Sequence, residues 1–401
     1  MLIEIILALL LGCTIGTFTG LIPGIHINLI GVFLVSLAAS VLRTINPISL
    51  VIFISAMAIT HTFVDFIPSV FLGCPDTDTE LAILPGHELL KKGQGYQAVL
   101  LTCYGSLLSI FTLILILFPF LFMINKIYNF LQTPYFMAII LITISLILVL
   151  LERKKFTALF AFLLSGFLGY CVLNFPALEQ PLLPLLTGLF GGSMLILSIK
   201  NKIQIPEQKI SKPIGEIKKF LSQAFLGSLI ASPLCSFLPG LGSGQAAIIG
   251  NTIIPSNKKG FLVLLGATNT LVMAFSFITL YTISKTRTGA AVAIKEIIDV
   301  LTLETLLIII GTVIISGIIS FFITKYLAKI FSTKIKDFNY TKISIGTLII
   351  LFIVVFFVSG IVGVAVLIAS TLTGIYIISL KVRRTQMMGC LLVPTIMLYL
   401  F

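Results

Sequence analysis

No charged residue occurs between Ile139 and Leu151, and none between Thr347 and Val358. Uncharged apolar runs of this kind recur along the whole chain and limit what it can fold into. A helix needs about 20 apolar residues to cross a hydrocarbon core of about 30 Å. In lipid the backbone must satisfy its own hydrogen bonds, so a spanning segment is a helix or part of a closed barrel. Barrel strands alternate apolar and polar residues, and these runs are continuous. Composition agrees: 58% of residues are hydrophobic and 10% charged, against about 25% charged in a soluble domain. A soluble enzyme, a secreted disulfide scaffold and a disordered protein are excluded. The expected fold class is an all-α polytopic integral membrane protein.

Apolar segments fall at 2–20, 28–42, 47–73, 96–123, 135–151, 156–174, 181–199, 221–238, 243–256, 260–284, 303–324, 343–358, 362–380 and 385–401. Segments 28–42 and 243–256 are short for a full crossing and each follows a Pro-Gly pair, so each either crosses or re-enters. The expected total is about 10–14 membrane segments. The N-terminus lacks a basic region before its apolar run, with Glu4 its only charge, so the first span is expected to be retained. The six cysteines form no C-x-x-C pair and read as small apolar packing residues.

The net charge of +12 sits in the loops between apolar runs. That pattern fits membrane topology and not a nucleic-acid partner. With Glu152–Lys155 placed in the cytoplasm and the segments alternating, 21 of the 26 Lys and Arg fall on that side. Arg43, Lys126, Lys285, Arg287 and Lys295 remain outside. The expectation is a multi-pass protein of the cell membrane with an external N-terminus. The polar stretch 201–219, with Pro206 and Pro213, reads as a cytoplasmic linker on an anionic membrane surface. It divides the chain into an N-terminal repeat, 1–200, and a C-terminal repeat, 220–401.

The two parts share a signal. Gly12, Gly16 and Gly20 precede Pro23-Gly24, which leads to His26 and Asn28; Ser228, Ser232 and Ser236 precede Pro239-Gly240, which leads to Gly242, Ser243, Gly244 and Gln245. Further on, Thr60-His61-Thr62 matches Thr268-Asn269-Thr270. Pro has no backbone N–H to donate and Gly tolerates positive φ. Together they end a helix at membrane depth and free polar backbone groups that need partners there. Broken helices at matching positions in two halves point to a transporter site near the midplane. A kink or a small-residue packing face is the other reading. An odd number of segments per half makes the repeats inverted in topology, a usual basis for alternating access.

These residues resemble those of the TctA family, the large membrane subunit of tripartite tricarboxylate transporters. Its hallmarks are a Gly-rich first helix leading to a Pro-Gly-Leu-Gly-like break that recurs in the second half. The stretch from Ser236 through Pro239-Gly240 to Gln245 is the closest match, and the stretch from Cys74-Pro75 through Pro85-Gly86 to Gly95 is similar to a segment the family carries between its breaks. The resemblance covers 1–110 and 220–300, with the rest matching by hydropathy; His26 stands where the family has a small residue. It implies secondary uptake of a small organic anion driven by a cation gradient. In some systems such uptake involves a small membrane subunit and an extracytoplasmic binding protein.

Pro23, Gly24, His26, Asn28, Pro239, Gly240, Gly242, Ser243, Gly244, Gln245, Asn269, Thr270 and Arg287 are the candidate substrate-binding residues. An Arg with neighbouring hydroxyls and glycine N–H groups, as in 285–289, suits a carboxylate or serves as an interfacial anchor. His61 and Asp65 are four apart in an apolar span and share a helix face. An ionisable residue within a span is a functional hypothesis by default, so this pair is the candidate for ion coupling, with a structural Asp–His pair as the alternative. Asp76, Asp78, Glu80 and Glu88 read as a solvated loop. No H-E-x-x-H, Walker A or G-x-S-x-G motif occurs, so no enzyme is expected. No cofactor is expected beyond a coupling Na⁺ or H⁺. The expected function is a secondary active transporter for a small carboxylate-type anion; a channel or a lipid or polyprenyl-lipid transporter is the alternative.

Overall fold

A computed structural model describes residues 2–22, 46–72, 79–131, 134–150, 152–178, 180–200, 206–211, 217–237, 242–298, 300–335 and 340–400. The first part contains α1 (Leu2–Leu21), α2 (Pro47–Val64), short α3 (Phe66–Phe71), α4 (Ile83–Lys91), α5 (Gly95–Leu131), α6 (Pro134–Leu150) and α7 (Lys155–Leu173). It ends in a split element: α8 (Leu182–Leu186), a π turn (Thr187–Gly192) and α9 (Ser193–Lys200). The second part contains α10 (Ile217–Phe237), α11 (Ser243–Ile253), α12 (Lys258–Ile283), α13 (Gly289–Ile297), α14 (Leu303–Lys334) and α15 (Tyr340–Ser379). A 3-10 turn (Arg384–Met388) then leads into α16 (Gly389–Leu400). Among the described residues there is no strand, and seven helices are long and apolar enough to cross a membrane. The protein is an all-α polytopic membrane protein.

Local chemistry sets the helix ends. Asn46 caps α2 by accepting from the Ile48 N–H at 2.9 Å, with Pro47 at the first helical position, where its missing donor costs nothing. Asn257 caps α12 through the Lys259 and Gly260 N–H groups, at 3.1 and 3.0 Å. Ser284 ends that helix in the left-handed conformation. Thr288 and Thr302 cap α13 and α14 in the same way.

Burial identifies the centre. The spans of α2–α3 and α12 are 89% and 94% buried, against 28% for α1 and for Ser344–Ser379. With no water in the bilayer, the outer helices turn large apolar side chains such as Leu10, Phe122 and Phe357 to the lipid side. Around the two central helices the packing matches between the halves. Helices α1 and α14 pack on α2, while α10 and α5 pack on α12. Farther out, α7 packs on α16, and the π turn with α9 packs on α15. Small residues bring the backbones together. Gly12, Gly16 and Gly20 of α1 lie directly against Phe53–Val64, so this spacing forms a packing face. Gly105 of α5 abuts the Val263 carbonyl, and Gly266 of α12 abuts the Thr102 carbonyl.

Two elements refine the hydropathy reading. In α15, Gly360 has φ 63° and ψ −163°, which folds the chain back on itself and brings Val355 and Val364 into one cluster. Its two legs correspond to the apolar segments 343–358 and 362–380. Helix α11 has 11 residues and spans about 16 Å, half of a hydrocarbon core. Segment 243–256 therefore enters only part way as a helix, while 28–42 lies outside the described residues.

The basic loops meet at one end. Glu88 pairs with Lys258. The Lys209 N–H donates to Gly93 O at 2.7 Å, and Gln208 bridges the Leu90 carbonyl and the Gly95 N–H. Arg383 contacts Glu152 at 3.4 Å. All of these residues belong to loops that the charge count places on a single side.

Candidate functional site

At the crossing of α2 and α12 the two matched triplets come together. The Thr62 and Thr270 hydroxyls lie 3.1 Å apart, 208 positions apart in sequence. Asn269 sits between them and is 2% exposed. Its amide nitrogen donates to Asp65 Oδ2 at 2.9 Å and to the Thr62 carbonyl at 3.3 Å. Its oxygen accepts from Ser243 Oγ at 3.3 Å. A buried amide held on both sides fixes its own orientation and leaves none of these polar atoms to face hydrocarbon.

Asp65 joins α2 to α3, is 3% exposed and receives its place from sequence-local causes. Pro68 has no N–H to offer the Val64 carbonyl, so the helix slips at this point. The Asp65 N–H still reaches the His61 carbonyl at 3.0 Å, which keeps the two residues one turn apart on α2. Their side chains meet different helices: Asp65 meets Asn269 of α12, and His61 Nδ1 lies 3.2 Å from Thr19 Oγ1 of α1. His61 and Asp65 thus link α1 and α12 through α2.

Depth follows from helix rise. Asn269 lies about 16 Å along α12 from Lys258 at the basic end, near the middle of a core of about 30 Å. Gly242 precedes α11, and Ser243, Gly244 and Gln245 form its first turn. This N-terminus opens beside Asn269. Its N–H groups and dipole favour negative charge. The Thr62 and Thr270 hydroxyls pair with each other, while the Asp65 carboxylate is held by Asn269.

The other candidate residues distribute as follows. Pro23, Gly24, His26, Asn28, Pro239 and Gly240 lie outside the described residues. Arg287 is half-buried in the connection after α12 and interacts electrostatically with Tyr399 of α16. Helix rise puts the end of α12 about 20 Å from Asn269, so Arg287 lies toward the end opposite the basic loops and away from the crossing. Thr19, Thr60, Thr62 and Ser320 were not singled out by sequence as site residues. Ser320 Oγ donates to Thr60 Oγ1 at 2.8 Å, tying α14 to α2. Thr60 and Thr62 flank His61 in the matched triplet, which is a signal; Thr19 and Ser320 carry none, because hydroxyls in apolar helices usually bond their own backbone. Glu88 of the acidic stretch is exposed and paired with Lys258, as a solvated face requires.

Among the described residues, seven long apolar helices, two of them buried at the centre, define a polytopic membrane protein. The chain belongs to the tripartite tricarboxylate transporter TctA family, whose profile matches residues 6–389. It is therefore a component of the transporter class to which that family belongs. It is 32% identical to the uncharacterized protein MJ1079 of Methanocaldococcus jannaschii over 98% of this chain and 99% of that one. No solved structure matches the chain.

Proposed function

We propose that the chain is a secondary active transporter that moves a small carboxylate-type anion across the cell membrane, coupled to Na⁺ or H⁺. The observation that carries this reading is the Asp65–Asn269–Ser243 chain of hydrogen bonds at mid-depth. A carboxylate inside a membrane is costly, about 2.5–3.5 kcal/mol on insertion scales. Asp65 repays that cost when a proton or cation occupies it during transport. The substrate anion binds beside it, at the N-terminus of α11, where the helix dipole favours negative charge, with the sequence-matched residues Pro23–Asn28 contributing. Asn269 contacts both sites: its nitrogen holds the carboxylate and its oxygen holds the first residue of α11. Occupation of one site thereby biases the other.

The matched packing around α2 and α12 supports two inverted repeats, 1–200 and 220–401, joined by the linker 201–219. Alternating access then occurs by rocking of one repeat against the other around the crossing. Partners of this reading are a small membrane subunit and an extracytoplasmic binding protein, with the basic end cytoplasmic.

Reconstituted protein tests the assignment. Uptake of citrate and smaller carboxylates is followed in liposomes under imposed Na⁺ or H⁺ gradients. Asp65→Asn is expected to lose gradient-driven accumulation and to keep substrate exchange, because exchange needs no net release of the coupling ion. Accumulation by Asp65→Asn equal to the parent would sink the coupling role. Unitary currents in place of saturable counterflow would indicate a channel instead.

A further inference from the structure

A polar linker between two halves of a membrane protein is expected to lie in solvent, yet Gln208 is 6% exposed between the exposed residues Glu207 and Lys209. A buried amide needs partners, and Gln208 has them. Its Nε2 donates to the Leu90 carbonyl at 3.0 Å and to the Pro206 carbonyl at 2.6 Å, and its Oε1 accepts from the Gly95 N–H at 2.8 Å. The Lys209 N–H adds a bond to the Gly93 carbonyl at 2.7 Å. Leu90 lies in the last turn of α4, where helix carbonyls lack intrahelical donors, so the linker amide caps that helix from far along the chain. The receiving turn is shaped for the contact. Gly93 has φ 74°, and a Cβ on it would meet the Glu207 carbonyl at 2.8 Å; a Cβ on Gly95 would meet Gln208 Oε1 at 2.8 Å.

The position of α4 gives this docking a consequence. Between the polar crossing and the basic loops lies an apolar cluster built from both halves, including Phe66 and Phe71 of α3, Leu89 and Leu90 of α4, and Leu262 and Leu265 of α12. It separates Asp65 and Asn269 from the basic end. Helix α4 is tied to the second half at two points. Glu88 pairs with Lys258, the first residue of α12. The docked segment is followed, after five residues of chain, by Ile217 at the start of α10. An exposed ion pair contributes little, so the buried amide with its three hydrogen bonds is the stronger tie.

We propose that linker segment 206–209 is a strap that holds α4 closed over the basic end of the crossing, and that its release from the Gly93–Gly95 turn opens that end. Displacement of α10 relative to α5 pulls the strap from its turn, so the closure responds to movement between the halves. As a gate on a substrate route the strap rests on the transport reading; as a closure over a buried core it is tested without any transport.

Cys103 of α5 reports on the closure, because it is fully buried in the same apolar cluster. Full-length protein with Cys103 as its single cysteine is placed in nanodiscs, and its labelling by a charged, water-soluble maleimide is timed. Gln208→Ala is expected to raise the labelling rate about tenfold, as loss of the buried amide's bonds raises the population of the open form. Gln208→Glu keeps an acceptor for the Gly95 N–H but has no donor for the Leu90 carbonyl, and is expected to raise the rate in the same direction. A second version retains only Cys390, buried where α16 packs on Gly169 of α7. Its labelling is expected to stay at the parental rate in both variants. Parental labelling of Cys103 in Gln208→Ala would overturn the proposal. So would equal acceleration at Cys390, which would mark a general loosening of the fold. Neither readout involves uptake, so a failure to accumulate any carboxylate would count against the transport reading alone.

Discussion

Asn269 shows how one side chain joins two halves of a membrane protein. Its nitrogen serves Asp65 and the Thr62 carbonyl of the first half, and its oxygen serves Ser243 of the second. Aspartate at that position would place a second acceptor against Asp65, so the amide is required by the hydrogen-bond inventory. His87 carries a residue-scale prediction of another kind. Burial, reinforced by Lys91 and Arg384, lowers its pKa from 6.5 to about 4. Since the folded value is depressed, the unfolded chain takes up the proton first. Stability is then complete above about pH 6.5 and falls as pH drops toward 4. The expected loss between pH 7 and pH 5 is about 2 kcal/mol, read as a lower denaturation midpoint in detergent. His87→Asn should flatten that slope; a parental slope in the variant would remove His87 as its source.

Single elements are shaped by close backbone approach and by where chain breaks fall. The contact of α5 with α12 rests on reciprocal glycines: a Cβ on Gly105 would run into the Val263 carbonyl, and one on Gly266 into that of Thr102. Backbone carbonyls cannot rotate away as side chains do, so the helices must separate. Gly266→Leu is expected to cost about 1–3 kcal/mol or more in folded stability, seen as reduced monodisperse yield on size-exclusion chromatography. Parental yield and melting temperature would show that α5 and α12 tolerate wider spacing. Gly360 acts differently. Its Cβ position is open, but φ of 63° is a conformation that L side chains rarely adopt. It is the turn between two legs, where conformational freedom matters more than space.

At the scale of the whole molecule, charge distribution and tertiary contact agree. The loops holding Lys91, Lys209 and Lys258 meet one another, and that holding Arg383 meets the Glu152 loop, as expected if each set shares one side of a bilayer. The cytoplasm is the expected side. With the native cysteines replaced, Lys209→Cys should resist an impermeant thiol reagent in intact cells, while Ala177→Cys should react. The reverse pattern would invert the whole topology, since all the loops move together.

Much of this was legible in the sequence, for a physical reason. Hydrocarbon permits only helices among continuous apolar runs, so fold class and approximate spans follow from hydropathy. Asp65 stood out because a carboxylate in such a run is costly, and Asn269 because its triplet repeats that of His61. What sequence left open was which polar groups face one another. Asp65 shares a helix face with His61, yet its carboxylate meets Asn269, and His61 turns to Thr19. Helical periodicity fixes neighbours along one helix, whereas partners on another depend on crossing position and depth.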